Sequence, residues 1–420
     1  MYAMYQQIAT FEKMKPLQSL IKPPQKIITK TIWVLSLMSL FNDMASEMLY
    51  PVMPLFLKHI GYTAIFIGVL EGIAEAVAGL SKSYFGKLSD NSGKRLPFVQ
   101  LGYALSAISK PMLAIFIYPS WIFLSRTTDR LGKGIRTGAR DAMLSEESSK
   151  DTKAQVFGFH KSMDTMGAVL GPTLALIYLY YFPNNYTSLF LIAFFPGLLA
   201  FVSTFFIKTN SPPNILKTGN QNASIHIFSF ISYWKNSNRA YKKLIVGLLL
   251  FALFNSSDVF LLLKMKESGL NDSAVIGIYI FYNLIYALLA YPIGILADKL
   301  GLKKIFIVGL FIFSIVYFGF AFNHNITTYL FLFFLYGVYA AATEGVAKAW
   351  ISNLVDKKEI ATAIGTFAGF QSISLLIASS ICGLLWFYYG AMFTFLLTAI
   401  ITTLVVIYLA IFSKTTEHIS

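Results

Sequence analysis

Charge is scarce in this chain: of 420 residues only 13% are Asp, Glu, Lys or Arg, about half of what a soluble domain carries. With 56% hydrophobic residues and 16% aromatic ones, too much apolar surface remains for a soluble fold to hide, which excludes a soluble enzyme. Cysteine is nearly absent. The one thiol, Cys382, excludes an internal disulfide and a cysteine-rich metal site, and its apolar surroundings read as lipid-buried or packing. A phosphate loop is missing too: Gly132-Lys133-Gly134 lacks the Gly-x-x-x-x-Gly-Lys-Ser/Thr spacing, so nothing suggests ATP as the energy source. No cofactor and no metal are expected. A signal peptide is not expected either, because about 30 polar or mixed residues precede a first apolar run that is itself long enough to span.

What is present is a succession of apolar runs, each near the roughly 20 residues needed to cross a bilayer. They fall at 32–57, 62–85, 97–117, 120–143, 155–181, 187–207, 243–263, 273–296, 305–322, 327–350, 360–386 and 390–412. The pattern predicts an all-α integral membrane protein of twelve transmembrane helices in two six-helix bundles. The expected organisation is an N-terminal arm over 1–31, a first bundle over 32–207, a linker over 208–242, a second bundle over 243–412 and a tail over 413–420. The linker carries Pro212, Pro213 and many Asn and Ser residues, a composition that reads as an interdomain connection.

The net charge of +14 is distributed between the apolar runs and not on one polar face, so it reports topology, and no nucleic-acid partner is expected. Lys13, Lys15, Lys22, Lys26 and Lys30 occupy the arm, and Lys208, Lys217, Lys235, Arg239, Lys242 and Lys243 the linker. Both termini are therefore expected in the cytoplasm. An internal repeat supports the same count. Gly86-Lys-Leu-Ser-Asp90, followed by Gly93-Lys94-Arg95, recurs as Gly294-Ile-Leu-Ala-Asp298, followed by Lys299, Gly301, Lys303 and Lys304. A weaker echo pairs Phe41-Asn42-Asp43 with Phe254-Asn255 and Asp258. Repeated halves of this kind are a transporter signature.

At these two turns the sequence resembles the major facilitator superfamily, whose 2–3 loop motif is Gly-x-x-x-Asp-Arg/Lys-x-Gly-Arg/Lys-Arg/Lys. The first copy departs from it with Asn91; the second keeps Lys299. Arg130-Leu-Gly-Lys133-Gly134 resembles the family's Arg-x-x-Gln-Gly motif, with Lys133 in place of Gln. Gly167-Ala-Val-Leu-Gly171-Pro172 is similar to the Gly-x-x-x-Gly-Pro segment of proton-exchanging exporters, without the Gly-Gly that usually follows. The stretches Phe41–Pro51, Asp129–Thr137 and Phe157–Asp164 resemble a prokaryotic branch whose substrates are mostly unassigned. The resemblance implies the superfamily's fold, a multi-pass position in a prokaryotic inner membrane, and secondary active transport of a small solute by a monomer. The Gly-Pro segment leans toward efflux. Basic residues in span 4 would equally suit an anionic solute or siderophore.

An ionisable group at bilayer depth costs roughly 2.5–3.5 kcal/mol even on insertion scales, so each one calls for a partner, water or a function. The first half is rich in them: Asp43 and Glu47; Glu71, Glu75 and Lys82; Arg126, Asp129, Arg130, Lys133, Arg136 and Arg140; and His160, Lys161 and Asp164. The second half has Asp258 and an i,i+4 pair, Glu344 and Lys348. Span direction puts Asp43, Glu75, Arg130 and Asp164 at one level, around a central cavity. For Lys82, Arg136, Arg140 and the Glu344–Lys348 pair the reading is structural ion pairing, and for Lys161 and Lys264 snorkelling. The candidate coupling and cavity set is Asp43, Glu47, Glu71, Glu75, Arg126, Asp129, Arg130, Lys133, Asp164 and Asp258. Gly86, Asp90, Arg95, Gly294, Asp298 and Lys299 form the candidate gating turns, where an Asp can bond the N-terminal amides of a neighbouring helix or basic groups. Gly167, Gly171 and Pro172 are candidate flexing points, as are the glycines Gly68, Gly72 and Gly79 and the prolines Pro51 and Pro54. An acyltransferase reading of His160-Lys-Ser-Met-Asp164 fails because the spacing is one residue short of His-x-x-x-x-Asp.

Overall fold

Apolar helices in lipid gain little from hiding from water, so they associate through close packing and polar contacts; both decide the arrangement seen in the computed structural model. It describes residues 27–50, 52–62, 64–207, 229–255, 258–323 and 325–412. The arm to residue 26, with Lys13, Lys15, Lys22 and Lys26, the linker from 208 to 228 with Pro212 and Pro213, Pro51 and the tail from 413 lie outside the described residues. The described residues form helices and turns, with no strand among them.

The first half comprises α1 (Lys30–Leu49), α2 (Val52–His59), α3 (Ala64–Ser92), α4 (Leu96–Ile115), α5 (Pro119–Glu146), α6 (Lys153–Tyr181) and α7 (Tyr186–Ser203). The second comprises α8 (Ser229–Asn236), α9 (Arg239–Ala252), α10 (Val259–Glu267), α11 (Asp272–Leu300), α12 (Leu302–Phe322), α13 (Ile326–Asn353) and α14 (Ile360–Phe412). Seven helical stretches are long and apolar enough to cross a membrane by length and composition: those built on α4, α6, α7, α11, α12, α13 and α14. Helices α1, α3 and α5 have the length, at 20, 29 and 28 residues, but carry the charges noted above.

Four expected spans differ in form. The run 32–57 is broken into α1 and α2 next to Pro51, whose missing amide proton cannot continue a helical ladder. The run 243–263 is broken between Ala252 and Val259, so the Asn-Asp echo falls inside a helix in the first half and at an interruption in the second. The runs 360–386 and 390–412 are one helical stretch, α14, kinked at Gly390 with φ 80°, a left-handed conformation that only glycine takes without strain. The linker also holds structure beyond expectation: α8 lies within it, and α9 begins at Arg239.

Within the first half α1 packs along α6 and α7, and α5 lies between α3 and α4. Within the second, α13 packs on α11 and α12, and α12 on α14. The halves meet along α6–α11 and α3–α14. At each of these crossings a repeated glycine sits against a backbone carbonyl: Gly86 against Ala361 O, and Gly294 against Ala154 O, where a Cβ would overlap. The outer surface is apolar, with Phe387 81% and Tyr180 80% exposed, as lipid contact demands.

Gly294→Val should force α6 and α11 apart at about 1–3 kcal/mol and lower the melting temperature in detergent. Gly277→Ala, whose added methyl meets nothing within 4 Å, should melt like the parent chain by scanning fluorimetry.

Candidate functional site

A charged stripe on α5 faces α1 and encloses a cavity of about 10 Å³ lined by Asp43, Ser46, Glu47, Tyr50, Arg126, Asp129, Arg130, Lys133 and Arg136. That volume holds about one water molecule. Seven of the nine lining residues carry a formal charge, so the cavity suits water and ions. The periodicity of α5 brings these side chains onto one face, since residues three and four apart are helical neighbours. Asp43 lies against Asp164 of α6, and Lys133 faces both Asp43 and Glu47. Among the described residues Lys133 has no ion-pair partner within 4.0 Å. Glu71 and Glu75 share helix α3 with Lys82, but their side chains lie outside the described residues, as do those of Gly68, Gly72 and Pro54.

Asp129 is turned away from a free role. Lys110 Nζ pairs with its Oδ1 at 2.6 Å and donates to Ser46 Oγ at 3.1 Å, and both ionic side chains are almost fully buried. Arg136 donates to Ser106 Oγ at 2.7 Å and lies over the Tyr103 ring, 4.7 Å from its centroid. These contacts tie α5 to α4. Lys110 is absent from the candidate set, although it is a cation in an apolar run and the depth argument applies to it directly.

Deeper along α5 and α6 the charges form a chain that begins and ends on α13. Glu344 Oε2 meets Lys161 Nζ at 3.0 Å, and Lys161 also reaches Asp164 Oδ2 at 3.0 Å. Ser39 Oγ donates to Asp164 Oδ1 at 2.5 Å and accepts from Arg140 at 3.1 Å. Arg140 pairs with Asp141 at 2.9 Å, and Asp141 Oδ2 with Lys348 at 2.8 Å. The i,i+4 residues Glu344 and Lys348 thus pair across the two halves instead of with each other. Lys161 is likewise turned inward, 5.4 Å from the Tyr286 ring centroid, and Lys264 is buried; neither snorkels. Asp141 and the cross-half partners were invisible to spacing because their partners are remote in sequence.

The repeated turns sit at the same end. Asp90 Oδ2 accepts from the Thr362 amide at 2.6 Å and its hydroxyl at 2.5 Å, at the start of α14; Oδ1 takes Arg95. Arg95 also pairs with Glu146 at 2.8 Å. Asp298 accepts from the Ala154 and Gln155 amides at 3.0 and 2.7 Å, at the start of α6. Each half therefore places a carboxylate on the positive end of a helix in the other half. Lys299 is exposed and takes no part. Around them Lys153 donates to Ser352 O at 2.9 Å, and Ser162 donates to Ala287 O.

Gly167 and Gly171 face α1, where a Cβ would overlap the carbonyls of Leu40 and Met44; Pro172 follows inside α6, and Gly79 meets Ser372 of α14. In the second half Asp258 accepts from the Tyr336 hydroxyl at 2.6 Å. Tyr336 belongs to a packed aromatic group with Tyr282, Phe313, Phe333 and Tyr339, with centroids 4.9, 6.2, 6.1 and 5.3 Å from its own. Asp258 stands far in sequence from the charged stripe of α5 and does not line its cavity. Cys382 is buried.

Because breaking a buried pair leaves one charge uncompensated, Lys110→Met should cost about 3–5 kcal/mol, and Asp129→Leu added to it should recover most of that loss. Unfolding of the purified single and double variants in denaturing detergent checks the order.

The description Major Facilitator Superfamily matches residues 35–282 and 259–419. An uncharacterized MFS-type transporter of Methanocaldococcus jannaschii is 34% identical over 367 residues, 86% of this chain and 89% of the relative. The quinolone resistance protein NorA of Staphylococcus aureus is 26% identical over 145 residues, 34% of this chain and 37% of NorA. Among solved structures, the human organic anion transporter MFSD10 superimposes with a TM-score of 0.75 at 15% identity, covering 92% of this chain and all of that one. FucP, a Major Facilitator Superfamily transporter in the outward conformation, gives 0.70 at 12%, covering 92% and 99%. The low identities of the last two carry the fold alone. The paired halves, the repeated carboxylate turns and a family match over nearly the whole chain lead to one conclusion: this is a membrane-spanning transporter, not an enzyme, and it belongs to the Major Facilitator Superfamily.

Proposed function

We propose that the protein is a secondary active transporter of a small organic solute, driven by protons, that alternates access by rocking two six-helix bundles. In this reading α1 with α2 and α9 with α10 each make one broken span, α14 makes two, and the total is twelve with both termini cytoplasmic. Residues 32–207 and 243–412 are the bundles, and the protein works as a monomer in a prokaryotic plasma membrane.

The observation that carries the reading is the closure of the seam at the end that holds the repeated turns. Asp90, Asp298, the Asp141–Lys348 pair and the Lys161–Glu344 pair all join the halves toward the end that holds the repeated turns. Positive-inside counting makes that end cytoplasmic. Asp90, Arg95 and Asp298, with Gly86 and Gly294 permitting the approach, are then the inner gate, closed in this state. Opening it exchanges several charge-assisted hydrogen bonds for water, each worth about 1.5–3 kcal/mol, so a bound ligand can tip the balance.

Proton coupling rests on Asp43 and Asp164, two carboxylates in contact within a low-dielectric bundle. Like charges so placed favour holding one proton between them, and Lys133, Lys161 and Arg140 oppose this. Rearrangement of the bundles changes those distances and so the proton affinity. Efflux is favoured by the Gly167–Pro172 segment and by the partial match to NorA. Uptake of an anionic solute is the second reading, favoured by Lys133, which lines the cavity without an ion-pair partner among the described residues.

Asp43→Asn and Asp164→Asn should each reduce pH-driven accumulation at least about tenfold while leaving membrane insertion intact. The assay is flux in proteoliposomes under an imposed pH gradient, with radiolabelled quinolones, organic acids and phosphate esters. Gradient-driven flux equal to the parent's in both variants excludes coupling at this pair.

A further inference from the structure

Among the described residues of the linker, α8 (Ser229–Asn236) is a helix of eight residues. A helix of that length is marginal alone in water, so docking sustains it. Its anchors lie on the second half. The Tyr233 hydroxyl donates to Glu359 Oε2 at 3.3 Å, and its ring stands edge-on to that of Tyr241, with centroids 5.6 Å apart. Tyr241 is buried and donates to Ala363 O of α14 at 2.8 Å. The Trp234 ring meets Phe370 of α14 edge-on, with centroids 6.0 Å apart. Just past the helix, Asn238 Nδ2 donates to Leu354 O at the end of α13 at 2.7 Å, and its Oδ1 accepts from the Tyr241 amide at 2.7 Å, capping α9. Lys235 is exposed.

The helix also touches the other half: α8 packs on α3 as well as on α14. This is the crossing where Gly86 meets Ala361 O and Asp90 takes Thr362. Between α13 and α14 runs a single 3-10 turn, Lys357–Glu359, and it is gripped from two sides. Arg95 of the first half reaches Lys357 O at 3.5 Å, and Tyr233 of the linker takes Glu359. Only Ser237 and Asn238 separate α8 from α9, and Asn238 is itself bonded to both α9 and α13. The helix is therefore an extension of the second half and travels with it. Its contact with α3 is the one that parting of the halves breaks.

We propose that α8 is a strap over the inner gate: anchored on α13 and α14, it lies across α3, holds the α3–α14 crossing shut and biases the resting protein toward the closed gate. The proposal rests on the rocking reading above and adds to it an element outside both bundles. Opening has to lift α8 off α3 as well as break the bonds of Asp90 and Arg95 to the start of α14. Loosening the anchors lets the halves part without that extra contact, so the gate opens more often. The strap acts by contact alone. It takes neither proton nor solute, so Asp43 and Asp164 play no part in it.

The test uses the full chain in lipid nanodiscs, without substrate or gradient. Spin labels are carried on cysteines that replace exposed lysines in a Cys382→Ala background, and separations are read by pulsed electron paramagnetic resonance. Lys94→Cys and Lys304→Cys, one in each repeated turn, report the gate. Trp234→Ala, which removes the ring on Phe370, should raise the ratio of long to short separations about tenfold. Tyr233→Phe, which removes only an exposed hydrogen bond, should raise it about threefold. Asp90→Ala serves as the opened reference. In it the separation between Lys94→Cys and Lys235→Cys should lengthen as the gate pair does, whereas that between Lys235→Cys and Lys304→Cys should stay as in the parent, because α8 rides with the second half. Parental ratios in both Trp234→Ala and Tyr233→Phe beside an opened Asp90→Ala overturn the proposal, and so does an α8 that stays with α3 as the gate opens. Should Trp234→Ala fail to fold, Tyr233→Phe and the Lys235→Cys separations decide. If Asp90→Ala too shows only the short separation, the rocking reading fails, and the strap with it.

Discussion

A charge placed inside a lipid-facing helical bundle must find a partner within reach, and this constraint organises the protein. In water the ion pairs described above would each contribute little. Here, removal of one member strands the other in a low-dielectric interior. The first half meets the constraint in two ways. Lys110–Asp129 and Arg136–Ser106 are closed within the half and fasten α4 to α5. The chain through Lys161, Asp164, Arg140 and Asp141 is left incomplete by its own half and closes only through Glu344 and Lys348 of α13. The first kind holds a bundle together, and the second holds the bundles to each other.

The same division appears in the backbone contacts. Asp90 and Asp298 occupy corresponding positions of the two copies of a turn, and each bonds the first amides of a helix in the opposite half. The glycine four residues earlier brings the backbones close enough for that bond in both cases. At these points the seam holds polar groups that water could satisfy equally well, beside apolar packing such as Phe159 on Tyr291.

The second half contributes differently. Its interior is dominated by stacked and edge-on aromatic rings, Phe313 lying 4.2 Å from Tyr317 at an interplanar angle of 26°. Asp258 is bonded to that group through Tyr336. Glu344 and Lys348 are committed to the other half. The asymmetry between the halves in charge is thus real in sequence but partly cancelled in space, because α13 lends its charges across the seam.

The fold was legible in the sequence because its signals are local. Apolar run length and the repeated glycine–aspartate turn act over a few residues, and each led to helices or turns found close to their expected place. The break between Ala252 and Val259 was not foreseen, since apolar composition alone does not record where a helix stops, whereas Pro51 marked its span as one that can kink. Of the site, the apolar runs revealed which charges they contain, and helical period put Arg126, Arg130 and Lys133 on one face. The sequence could not pair them. Whether Lys348 answers Glu344 one turn away or Asp141 some 200 residues earlier depends on which helices are neighbours, and that is decided by the docking of two bundles. For the same reason Lys161 read as a lysine snorkelling to the interface. Charge at depth is a property of the chain; the partner that makes it tolerable is a property of the tertiary structure, because attraction between charges acts through distance in space and is blind to distance in sequence.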